Sequence, residues 1–149
     1  MWWDQERVEY LLDQTFDRHR ILIENAINNR QVTYFTAFRR IRESQSMAEI
    51  RSDGIAGCLR TPKGGSARQI LLKVGKGNVK VRLLTGRECA RLMGADEYTI
   101  SGNVNRDLFG FGDAVCVPVV SWIAEHYLNP VLEKLNRKGE ELNEFSHAC

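Results

Sequence analysis

The chain has 149 residues and a formal net charge of +2, with 43% of positions hydrophobic and 27% charged. These proportions fit one soluble-type globular domain with enough apolar side chains for a core. The longest apolar run falls far short of the roughly 20 residues a bilayer span needs, and Met1-Trp2-Trp3-Asp4 lacks the basic-then-apolar order of a signal peptide, so neither a membrane partner nor export is expected.

Residues 4–29 read as helix: Val8, Leu11 and Leu12 follow helical spacing, as do Ile23, Ala26 and Ile27, with Asp4 and Asp17 as caps and Asn28-Asn29 as the end. Val32 to Phe38 is β-branched and aromatic and suits a strand. Residues 39–69 hold turn residues and basic side chains, and eight of the twelve glycines fall between Gly54 and Gly94, so an irregular middle section is expected. Ile70–Val74 and Val79–Leu84 read as a strand pair across Gly75-Lys76-Gly77-Asn78, the second with Val79, Val81 and Leu83 alternating against Lys80 and Arg82. Thr85-Gly86-Arg87-Glu88 has the form of a capping box and predicts a short helix that stops at Gly94. Val115, Val119, Trp122, Ile123 and Tyr127 trace one face of a longer helix, with Pro118 in its first turn and Pro130 ending or kinking it.

Charge is strongly segregated. From Arg30 to Arg91 there are 14 Lys/Arg against four acids, a local +10, while the rest of the chain carries a local −8. A basic surface on an acidic body is the footprint of a polyanion binder, although a merely solvated charged face fits the count equally well. Arg39, Arg40 and Arg42 border a strand end, where they either grip phosphates or are solvated. Arg60, Lys63, Ser66, Arg68 and Gln69 surround Gly64-Gly65, whose bare backbone allows close approach to DNA. In such a loop Arg can read guanine and Gln can read adenine. Arg82, Arg87 and Arg91 are better suited to organising this region, Arg91 by pairing with Glu88. Cys58, Cys89, Cys116 and Cys149 are widely spaced with no Cys-x-x-Cys, so no disulfide framework, zinc site or other metal site is expected and a reducing compartment fits. His19, His126 and His147 have no companion ligands or triad partners in the pattern.

The segment from Arg82 to Gly94, Arg-Leu-Leu-Thr-Gly-Arg-Glu-Cys-Ala-Arg-Leu-Met-Gly, resembles the ninth conserved block of DNA (cytosine-5)-methyltransferases. Phe111-Gly112-Asp113-Ala114-Val115 and the apolar residues after it resemble the tenth, and Asp53–Thr61 with Gly64–Gln69 resembles the latter part of a bacterial target-recognition region. Asp113 stands where the family usually has Asn, Met93 where Gln is common, and Ala95 where Phe is common. Asp107-Leu108-Phe109-Gly110-Phe111-Gly112 also resembles the cofactor loop that opens these enzymes, but the polar residues before it are not the buried strand that loop follows. The tenth-block reading is therefore preferred.

The resemblance implies an α+β fold: N-terminal helices over 1–30, a turn-rich small β recognition region with the ninth block over 31–95, and the tenth block with terminal helices over 96–149. The terminal helix would pack on a Rossmann-like methyltransferase domain supplied elsewhere. Double-stranded DNA is the implied partner, S-adenosylmethionine the implied cofactor of the assembled enzyme, and Asp113 and Ala114 the residues beside it. The family's nucleophile is a cysteine in a Pro-Cys loop. Here the residues before Cys58, Cys89 and Cys116 are Gly, Glu and Val, and the Glu-Asn-Val block is missing, so no catalytic residue is nominated. The reading is the DNA-recognition and cofactor-closing portion of a split restriction-modification enzyme, in the cytoplasm with the nucleoid. It acts with a larger catalytic polypeptide or by self-association. The alternative is a non-catalytic DNA-binding module or the remnant of a disrupted gene.

Overall fold

The computed structural model describes residues 1–42, 44–61 and 68–147. In chain order the elements are α1 (Gln5–Asp13), α2 (Asp17–Ile27), β1 (Thr33–Arg42), β2 (Gln45–Arg51), β3 (Ile70–Gly75), β4 (Asn78–Leu83), α3 (Gly86–Leu92), α4 (Val104–Asp113), α5 (Val117–Ile123), a π-helical turn (Ala124–Leu128) and α6 (Asn129–His147). This is the expected α+β composition.

The single helix expected over 4–29 is two. Asp4 caps α1 as expected, its carboxylate accepting from the Arg7 amide at 2.9 Å. The chain then opens at Thr15, which bridges Ala48 while the Ala48 amide donates to Gln14 O at 2.8 Å. An unbroken helix has no free carbonyl for that bond, so docking on the sheet edge ends α1. Phe16, not Asp17, occupies the N-cap of α2, and no side chain caps it.

The sheet is four-stranded and antiparallel in the order β2-β1-β3-β4. The β3–β4 pair forms as its alternation predicts. The irregular section expected from residue 39 begins later, because β1 continues through Arg39-Arg40-Ile41-Arg42 and returns as β2. Ala48 and Ile50 alternate with outward polar residues and are buried on the same face as Phe35 and Ala37. That period of two is short and charged on its outer side, which hides it in the sequence.

One sheet face makes the main core. Phe35, Ala37, Ile70, Leu72, Val74 and Val81 meet Val8 and Leu11 of α1 and Ile23 of α2. The N-terminal helices therefore share the sheet's core. Both outer strands are shielded: the Trp3 amide donates to Val81 O beside β4 at 2.8 Å, and the Ala48–Gln14 bond covers β2. His19 accepts from the Ile50 amide through Nδ1, and burial lowers its pKa, a structural role.

A second, smaller core lies where α3 meets α4: Leu84, Cys89, Ala90, Leu108 and Phe111. The Thr85/Glu88 capping box opens α3, and Gly94 at φ 68° follows its end, both as expected. Asp107 is buried and accepts from the Ser101 amide and hydroxyl at 2.8 and 2.7 Å. Its side chain lies where a Cβ on Gly86 would stand. The Asp107–Gly112 stretch is thus helix rather than a loop after a strand, in line with the tenth-block reading.

Pro118 sits in the first turn of α5 as expected, but Pro130 does not end the helix. The preceding turn widens so that the Asn129 amide bonds Ala124 O, five residues back. A widened turn accommodates the proline ring within a continuing helix. No residue of α5 or of the widened turn is buried. Contrary to the expectation from unbroken apolar runs, Val104–Lys138 is long and apolar enough to cross a membrane, with mean hydropathy 1.4 in its most apolar window. The average tolerates the isolated polar residues that interrupt each run, and the backbone turns extended at Ala114 and Cys116.

Leu72 is fully buried on a central strand. Leu72→Ala is expected to lower stability by about 2–5 kcal/mol, read from the denaturant midpoint at unchanged slope.

Candidate nucleic-acid interface

The ninth-block resemblance falls on the join between sheet and helix. Arg82 near the end of β4 grips Glu88 of α3 with two bonds, at 2.7 and 2.6 Å, while Glu88 also accepts from the Thr85 amide and hydroxyl, each at 2.9 Å. The guanidinium of Arg82, then the Thr85 donors, hold the Glu88 pKa down at about 2 despite partial burial. Arg87 donates to the carbonyls of Asp96 and Tyr98, the latter at 3.0 Å. The expected Arg91–Glu88 pair does not form: Arg82 takes Glu88, and Arg91 pairs with Asp96 at 2.9 Å. These three arginines organise the fold, as their positions suggest.

The segment read as target-recognising is tied at both described ends to α4. Thr61 donates its hydroxyl proton to Asp113 at the C-terminal end of α4. Arg68 donates to Asn105 in its first turn at 2.5 Å. A Cβ on Gly112 would collide with the Thr61 nitrogen and the Arg60 carbonyl carbon. Glycine there permits backbone-to-backbone contact, the use of a missing side chain that matters most in this region. Lys63 and Ser66, with Gly64-Gly65, lie outside the described residues.

The remaining expected DNA-contacting residues are spread out. Gln69 is 5% exposed, with its Nε2 donating to Cys58 O at 3.1 Å and its side chain pressed against Gly57. That geometry supports the loop and turns the amide away from solvent. Arg39 is half-buried on the core side of β1, its guanidinium 6.0 Å from the Trp3 ring centre and 5.5 Å from that of Tyr10. Arg40 is exposed on the other face, over Phe38 at 4.9 Å and 3.8 Å from Glu49. Arg42 ends β1, and Arg60 is exposed beside Thr61. The structure brings Arg60 and Arg68 together with the ends of α4 and sets Arg39 and Arg40 on opposite sheet faces.

Sequence reasoning missed a cleft between the sheet's outer face, the 54–56 loop and α3. It has a volume of about 400 Å³ and is lined by Tyr34, Arg51, Ile55, Leu71, Arg91 and Leu92 among others. Its signal was Tyr34, an exposed aromatic at an outward position of a strand.

Asp113 and Ala114 end α4. Asp113 is the last residue of α4, and Cys116 holds the N-cap place of α5. Beside Ala114 lies a second cavity of about 400 Å³, lined by Met93, Tyr98, Phe111, Val115 and Val117 among others. Arg106 and Asp107 also line this cavity, while the exposed Asp113 carboxylate stands outside its lining at the negative end of the helix dipole. Cys89 is fully buried, and burial followed by the nearby Glu88 and Asp107 charges raises its thiol to about 11, the reverse of an activated nucleophile.

Two outcomes follow. Folding lowers the Glu88 pKa, so its pairing with Arg82 contributes fully above the ordinary value of 4.5 and is lost as pH falls toward about 2. The stability difference between wild type and Glu88→Gln should therefore shrink between pH 5 and about 2 in denaturant titrations. Gly112→Ala should push the Arg60–Thr61 backbone off α4, read as faster amide exchange at Thr61 with the main core unchanged.

Over residues 5–129 the chain matches the family described as C-5 cytosine-specific DNA methylase. No curated protein and no solved structure matches it. Members of this family act on DNA with S-adenosylmethionine as methyl donor. The match covers most of the 149 residues, and the chain belongs to the C-5 cytosine-specific DNA methylase family.

Proposed function

We propose that this chain is the target-recognition and cofactor-closing portion of a bacterial cytosine-5 DNA methyltransferase of a restriction-modification system, working in the nucleoid-containing cytoplasm. The observation that carries the reading is the asymmetry around α4. One side anchors both ends of the recognition segment through Thr61–Asp113 and Arg68–Asn105. The other leads into α5, no residue of which is buried.

The division of labour follows from the residues. The recognition segment meets duplex DNA, with exposed Arg60 and half-buried Arg68 as its described cations. S-adenosylmethionine would supply an electrophilic methyl group when bound, and Asp113 and Ala114 would border it with a carboxylate and a small apolar surface. The cysteine that attacks cytosine is supplied from outside these 149 residues, because none of their three prolines, Pro62, Pro118 or Pro130, precedes a cysteine. Val115, Val119, Trp122 and Tyr127, each more than half exposed, present the apolar surface on which that polypeptide docks.

Purified chain alone should transfer no labelled methyl group to DNA, and adding a polypeptide with the Pro-Cys and Glu-Asn-Val blocks should restore transfer. Trp122→Asp should abolish that complementation and reduce self-association in sedimentation, leaving the melting temperature of the sheet core unchanged. Transfer by the chain alone would refute the reading. So would complementation indifferent to Trp122→Asp, or co-sedimentation of the chain with lipid vesicles through this helix.

A further inference from the structure

The outer face of the sheet carries an electrostatic arrangement that folding alone does not favour. Strand register places Tyr34 of β1 opposite Lys73 of β3, and Lys73 opposite Lys80 of β4, one continuous row across three strands. Like charges directly opposite on paired strands oppose pairing. Elsewhere on this side the cations are answered within the fold: Arg82 by Glu88, Arg51 by Asp53 and Arg91 by Asp96. Among the described residues Lys73 and Lys80 have no ion-pair partner. Tyr34, at 54% exposed, stands at the end of this row and at the lip of the cleft beside α3.

We propose that the Tyr34–Lys73–Lys80 row is a docking site for the phosphate backbone of duplex DNA, separate from the recognition segment held by α4. The argument is charge complementarity. Two uncompensated lysines whose strands fix them side by side repel each other in the free protein, and an array of phosphates relieves that repulsion. Lysine suits the task as a mobile point charge that needs no fixed hydrogen-bond fork. A like-charge clash retained on the outer face of a well-paired sheet is the kind of local inconsistency that functional surfaces show. The row adds length to the DNA contact and carries no sequence information, because phosphates are alike at every step. It thereby takes over the gripping role that the sequence assigned to Arg39, whose guanidinium lies against Trp3 and Tyr10. This inference rests on the DNA-binding reading above.

The test is a salt titration of the full chain binding a labelled duplex, followed by anisotropy. Lys73→Gln and Lys80→Gln remove charge and keep most of the stem, and Lys134→Gln on exposed α6 removes the same charge elsewhere. Each lost phosphate contact should reduce the slope of log K against log salt by about 0.9, so the double variant should lose about two units of slope. The loss should be the same on duplexes of unrelated sequence, and the double variant should melt no lower than wild type because a repulsion has gone. Lys134→Gln should leave slope and affinity unchanged. A double variant that binds with the wild-type slope, or a loss equalled by Lys134→Gln, overturns this site while leaving DNA binding in place. Absence of any duplex binding by the wild-type chain at low salt overturns the site and the DNA-reading assignment together. Loss of binding to a peptide polyanion, with duplex binding intact, overturns the site in favour of an acidic protein partner.

Discussion

The Arg82–Glu88 pair is the joint on which the rest of the molecule turns. It fastens the end of the last strand to the first turn of α3, and Glu88 serves at once as salt-bridge partner and capping-box residue. Two charge-assisted bonds in parallel fix orientation as well as distance. From there the geometry propagates outward: α3 carries Cys89 and Ala90 into the second core, and that core seats Leu108 and Phe111 of α4. Gly86 leaves room for the buried Asp107 side chain, which lets the two helices pack closely. A small helix that is correctly capped but wrongly oriented would leave α4 without a seat.

Helix α4 then acts as a beam. Its N-terminal turn meets Arg68, and its C-terminal end meets Arg60 and Thr61 across Gly112. The same end bears Asp113 and Ala114, the residues nearest the tenth block's expected cofactor edge. Any displacement of Thr61 or Arg68 therefore loads the helix that ends there. Asp113 illustrates why the family's usual Asn is not needed for this contact: a carboxylate accepts the Thr61 hydroxyl proton as well as an amide oxygen does. Downstream, the Val117 amide to Met93 O bond and the packing of Pro118 on Gly94 set the direction in which α5 leaves.

The molecule has two kinds of cation. Arg39, Arg82, Arg87 and Arg91 are committed internally, to carboxylates, carbonyls or aromatic rings, while Lys73 and Lys80 face outward without such partners among the described residues. The guanidinium's several fixed donors make it the better internal brace, and the ammonium's hydration keeps it at the surface. A count of basic residues treats the two alike. The +10 between Arg30 and Arg91 is thus partly structural, and its usable portion is smaller than the total.

The sequence by itself determined the elements whose signals are local. The capping box at Thr85–Glu88, the β3–β4 alternation, the Asp4 cap and the Pro118 first turn each depend on residues within a few positions of one another. The ninth- and tenth-block letters pointed to the family for the same reason. Tertiary structure decided what depends on distant partners. Thr15 leaves helix because Ala48, more than thirty positions on, takes the carbonyl beside it. Arg91 turns to Asp96 because Arg82 already holds Glu88, and Gln69 turns inward because Gly57 leaves room for its amide. Which side chain is spent on the fold and which remains for a ligand is settled by competition among partners that only the folded chain brings together.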